Sequence, residues 1–194
     1  MRLVTVGECS AWLQERGIGL SSGNYPLVRS AEVLEFPISG DSGEAVALSY
    51  MFGDMERTTS GGGLLAIREW SIGSPGLDAI GHEVVKRMLG VSIHDAGSEQ
   101  PPWIVLDASE AAMMPSLLLQ ATIFGWDAFY VPNSGAFVIF ISHDEVAYVA
   151  AQNFPLSEDV RIQFDRLSIG AVATPYYLSQ TENEVANHTS TMRH

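Results

Sequence analysis

Asp127-Ala128-Phe129-Tyr130-Val131, then Pro132-Asn133-Ser134-Gly135, then Ala136-Phe137-Val138-Ile139-Phe140-Ile141 is the most informative run in the chain. Two segments rich in aromatic and β-branched residues flank four turn-forming residues, which is the signature of a β-hairpin. The second segment is apolar on both faces, so it is expected to be a central strand. Phe129, Phe137, Ile139 and Ile141 are therefore expected in the core. Ser142-His143-Asp144-Glu145 makes the next turn, and residues 146–150 make the next strand.

Upstream, Gly125 ends an apolar segment that Pro115 opens. Between them only Ser116, Gln120 and Thr122 are polar, and a helix of that kind is expected to be enclosed. Asp107 and Glu110, three apart after the apolar strand 103–106, resemble a capping box. Ser74-Pro75 opens another helix in N-cap-then-proline style. Its stripe is Leu77, Ile80, Gly81, Val84 and Met88, its exposed pair is Glu83 with Arg87, and Gly90 is its stop. Residues 32–36 and 45–50 flank Gly40-Asp41-Ser42-Gly43 and read as a second hairpin. Residues 3–6 read as a strand, Ser10 as the cap of a short helix over 11–16 that Gly17 ends, and residues 58–63 as a flexible connector. Downstream, Ser157-Glu158-Asp159 caps a helix over 157–167. The sum is an α+β fold with a mainly antiparallel sheet and packed helices. One globular domain spans 1–179, and a polar tail spans 180–194.

Composition limits the function. The chain has 194 residues, 46% of them hydrophobic and only 17% charged, which excludes a wholly disordered protein. Ten Lys+Arg stand against 23 Asp+Glu, a net charge of −13. The acids are spread evenly, and the longest basic cluster is the pair Lys86-Arg87. A nucleic acid needs a basic stripe, so no nucleic-acid partner is expected. The acidity favours solubility, and it favours attraction to a basic protein partner. No signal segment and no run of membrane-spanning length is seen, so a cytoplasmic protein without a membrane partner is expected. A homo-oligomer remains open.

Ile67-Arg68-Glu69-Trp70-Ser71-Ile72, the run from Leu118 to Phe124-Gly125-Trp126-Asp127-Ala128, and Ser142-His143-Asp144 together resemble a group of uncharacterised bacterial proteins. These short motifs cover roughly the second half of the chain. The group has no established activity. The resemblance therefore implies a bacterial source and one domain, and transfers no catalytic residue.

Several motifs bear on chemistry. Cys9 is the one cysteine, so neither an internal disulfide nor a cysteine zinc site can form. A nucleophilic role for Cys9 competes with plain packing. Gly40-Asp41-Ser42-Gly43 imitates a serine-protease loop, but every His follows Ser42. Gly19-Leu20-Ser21-Ser22-Gly23 matches a nucleophile elbow without the strand–helix context. Gly61-Gly62-Gly63 lacks the ending of a phosphate loop. His82, His94 and His143 lack helical metal spacing, so no metal and no cofactor are expected.

The best catalytic candidate is His143, with Asp144 or Asp107 to assist it, because it follows a rigid strand. Asp144 or Glu145 is the expected orienting group. Trp70, Trp126 and Asp127 are the candidate binding residues, set at element ends beside polar groups. Two functions follow. The first is a non-catalytic acidic binding protein, immunity- or antitoxin-like, that engages a basic partner. The alternative is a small hydrolase or metal-assisted enzyme centred on His143.

Overall fold

A computed structural model describes residues 1–28, 32–38, 42–57, 59, 61–68, 77–90, 103–151 and 162. Seven strands form one sheet: β1 (Arg2–Val4), β4 (Glu32–Pro37), β5 (Gly63–Ile67), β6 (Trp103–Leu106), β7 (Ala128–Pro132), β8 (Phe137–Ser142) and β9 (Val146–Ala151). Their order across the sheet is β1-β6-β5-β7-β8-β9-β4. Every pairing is antiparallel. The expected α+β fold with a mainly antiparallel sheet is the one observed. A separate two-stranded ribbon joins β2 (Gly19–Leu20) to β3 (Pro26–Leu27).

Both faces of the sheet are covered, which explains why β8 is apolar throughout. Helices α2 (Ser42–Arg57), α3 (Leu77–Leu89) and α4 (Met114–Phe124) cover one face. Leu65, Ile67, Tyr130, Ile139 and Val149 point into that core. Helix α1 (Val6–Gln14) and the small ribbon cover the other, over Ala66, Phe129, Val138 and Phe140. Phe129 and Phe140 stack with centroids 4.9 Å apart, and Tyr25 meets Phe129 edge-on at 5.3 Å. Phe129, Phe137, Ile139 and Ile141 are all buried, as the pattern required.

The second expected hairpin does not exist. Residues 45–50 belong to α2, and β4 pairs with β9, Glu32 opposite Ala151. Ala45, Leu48, Phe52 and Met55 are buried at helical spacing, whereas Val46 and Tyr50 are exposed. A six-residue window holds too little of that period to separate helix from strand.

Three smaller corrections share a cause, the exact position of a helix. Helix α1 starts at Val6, and its cap is Thr5, not Ser10. The Thr5 hydroxyl accepts from the Glu8 amide at 3.3 Å, and the Glu8 carboxylate accepts from the Thr5 amide at 2.8 Å. Helix α3 turns Gly81 and Val85 inward, while Ile80 and Val84 of the expected stripe are exposed. A Cβ at Gly81 would lie 2.6 Å from the Phe124 ring and 2.8 Å from Trp126, so the glycine permits the close approach that sets this rotation. Glu83 pairs with Lys86 at 3.0 Å rather than with Arg87. Helix α4 is enclosed on one side only: Leu117, Leu118 and Ala121 are buried, and Ile123 is 55% exposed. Gly125 ends it at φ 62°, as expected.

Gly61-Gly62-Gly63 is not a loose connector. Gly62 accepts a hydrogen bond from the Asn133 amide, Gly61 accepts one from the Asn133 side chain, and Gly62 and Gly63 are buried. Residues 163–194 lie outside the described set, as does all of the expected 157–167 helix except position 162.

Candidate functional site

The sheet register separates the sequence candidates. Ala128 faces Ile67 and Ile141, which puts Asp127 and His143 at one end of the sheet. Leu106 faces Gly63, which faces Pro132, so Asp107 lies at the other end. Six residue steps at about 3.4 Å each separate the two ends, on the order of 20 Å. Asp107 therefore cannot assist His143. It organises its own turn, accepting from the Ser109 hydroxyl at 2.6 Å and from the Ser109 amide at 2.8 Å. Those bonds, the hydroxyl first, hold its carboxyl below the ordinary range. Glu110 closes the turn, accepting from the Asp107 amide at 3.1 Å and receiving the Met1 ammonium.

His143 is oriented by Asp127, not by Asp144 or Glu145. Asp127 Oδ1 lies 2.9 Å from His143 Nδ1 and accepts the His143 backbone N–H at 2.9 Å. Asp144 Oδ1 is 3.5 Å from Nε2, and Glu145 is an exposed residue of the turn at φ 60°. The His143 side chain is half exposed, whereas Asp127 is buried. The same carboxylate thus fastens the β8–β9 turn and fixes the imidazole. The only hydroxyl adjoining in sequence, that of Ser142, is buried and accepts from the Asp144 amide. An orienting acid and an imidazole are thus present together.

Asp127→Ala removes the acceptor for a backbone amide and for the ring at once. It is expected to destabilise by about 1–3 kcal/mol. His143→Ala leaves the carboxylate one donor and is expected to cost less than about 1 kcal/mol. Urea unfolding of the two variants checks this order, and the reverse order would assign the imbalance to the imidazole.

The binding candidates fare differently. Trp126 is 3% exposed and stacks on Phe124 at 5.0 Å; Asp127 beside it is buried too. Neither is a surface contact, because the chain leaving α4 turns directly into the core. Trp70 and His94 lie outside the described residues. Among the described residues no three His, Cys, Asp or Glu side chains gather as metal ligands.

Cys9 is fully buried, and burial pushes its thiol up to about 12 from an ordinary 9.0. It is a packing residue, not a nucleophile. Above pH 9 the unfolded thiol loses its proton while the folded one keeps it. The unfolded chain then binds fewer protons, so stability falls as pH rises towards 12. Tyr130, raised by burial first and then by the Glu56 carboxylate, acts in the same direction. Urea unfolding across this range should show a shallower decline for Cys9→Ala; an equally steep decline would contradict the assignment. The G-x-S-x-G string is strand β2 and the turn that follows it, where Ser21 Oγ accepts from the Tyr25 amide at 2.9 Å.

One feature of the fold is not visible in the sequence. A cleft of about 490 Å³ opens between α2, α4 and the Asp107 turn. Glu56 lines it, although that side chain is only 2% exposed. Tyr130 donates to Glu56 Oε1 at 3.3 Å. Glu56 sits on the buried stripe of α2, four after Phe52, so the signal was a carboxylate on an apolar helix face. Reading 45–50 as a strand hid it.

Compared with known proteins, the chain matches no family model, no curated protein and no solved structure. No helix among the described residues is long and apolar enough to cross a membrane.

Proposed function

We propose that the protein is a non-catalytic acidic binding protein that engages a basic protein partner. The observation that carries this reading is how the charges pair. Arg2, Arg16 and Lys86 are matched by Glu8, Glu15 and Glu83 at 3.0, 3.5 and 3.0 Å, and Arg57 pairs with Asp54. Arg68 lies over the Tyr25 ring at 3.9 Å. Among the described residues these four Arg and Lys side chains are thus paired locally, while Glu35, Asp144 and Glu145 add to the field of a −13 chain. Such a field attracts a basic surface and repels acidic ones. An immunity- or antitoxin-like role is one form this activity takes.

Co-purification from the source organism tests the reading. A basic protein is expected in stoichiometric yield at low salt, with recovery falling as salt rises. Recovery of no protein, or of an acidic one, would overturn it. The second reading, a small hydrolase or metal-assisted enzyme, rests on one observation, the 2.9 Å Asp127–His143 pair. It predicts an activity on model esters that His143→Ala abolishes.

A further inference from the structure

We infer that the cleft between α2 and α4 receives a single Lys or Arg side chain from the basic partner, with its cationic head directed at Glu56; the inference rests on the binding function proposed above. Burial of an ionised carboxylate requires compensation by hydrogen bonds or an opposite charge. Glu56 receives one weak compensation, the 3.3 Å bond from Tyr130 to Oε1. Arg57, next in the chain, also lines the cleft, but its guanidinium is largely exposed and held by Asp54. Among the described residues no cation is ion-paired with Glu56.

The walls fit a slender chain with a charged end. Gly53, Gly61, Ala108 and Ala111 are small, and a volume of about 490 Å³ leaves ample room for a long side chain. Apolar walls suit the methylene stem of Lys or Arg, which buries readily while its head seeks a polar partner. At the mouth, Tyr50 is 65% exposed, an aromatic face for a passing cation. Gly53 keeps α2 close to α4, since a Cβ there would sit 2.6 Å from Pro115 Cγ, and this contact fixes the cleft's inner wall.

The probes are arginine and lysine blocked at both termini, with blocked norleucine as the uncharged control, titrated into the full chain and followed by amide chemical shifts. Saturable shifts confined to residues 49–57 and 108–119 are expected for the cationic probes and not for norleucine. Glu56→Gln keeps an acceptor for Tyr130 but loses the charge, and should weaken the cationic probes roughly tenfold or more, the loss of one charge-assisted contact. Ala112→Trp, at an exposed position of the rim, should block binding without touching the carboxylate, and covers the case in which Glu56→Gln does not fold. No saturable shift, equal binding of norleucine, or unchanged binding by both variants overturns the inference. The two readings fail separately. A basic partner held equally well by wild type and Ala112→Trp removes the cleft and keeps the binding function; cationic probes in the cleft with no basic partner recovered does the reverse.

Discussion

Gly63→Ala is expected to destabilise the protein by about 4 kcal/mol, near the limit for a single substitution. A Cβ at this position would lie 2.3 Å from the Val131 carbonyl oxygen, 2.8 Å from the Tyr130 hydroxyl and 2.9 Å from Pro132 Cα. Two of these three atoms are backbone of the neighbouring strand, so no rotamer change relieves the clash. The strands must separate at the end of the interior strand β5, where it joins both β6 and β7. Tyr130 would also be displaced, and with it the bond to Glu56. Denaturant unfolding measures the loss. A variant within about 1 kcal/mol of wild type would show that the strand ends are looser than described.

Trp126→Ala is expected to cost about 3–5 kcal/mol, the range for removing a large buried aromatic. The ring is stacked on Phe124 and lies against Gly81, so its loss opens a cavity where α3 and α4 meet. The chain just beyond Trp126 limits collapse into that space, because Ala128 opens the paired strand β7. The same substitution at an exposed binding contact would leave stability nearly unchanged. Thermal or urea unfolding therefore separates a core tryptophan from a surface one, and a loss below about 1 kcal/mol would favour the surface.

The β7–β8–β9 meander was legible because its cues agree: β-branched and aromatic runs, turn residues between them, and burial on both faces. Gly125 was legible as a helix stop because a left-handed residue is needed there. Helix α2 was not, because Ala45-Val46-Ala47-Leu48 looks like a strand until Phe52 and Met55 extend the pattern. The face of α3 was legible only in part: Gly81 and Met88 of the expected stripe face the core, but a stripe that continues through Ile80 and Val84 fits the period as well as one through Val85. What chose between them was the Gly81 contact with Phe124 and Trp126, a tertiary fact. The candidate site followed the same divide. His143 was visible as a residue after a rigid strand, whereas its partner Asp127 follows from register, and Asp107 was excluded by register alone. Glu56 required both the helix and the sheet beneath it.

The most direct measurement of the binding function is the association rate of the purified basic partner with the full chain across a salt series. At physiological ionic strength the Debye length is about 8 Å, so steering by the acidic surface weakens steeply as salt is added. Contacts already desolvated in the complex are screened far less, and they set dissociation. The account predicts an association rate that falls strongly with salt and a dissociation rate that changes little. An association rate independent of salt, or one that rises with it, would contradict an acidic surface acting as the recognition element.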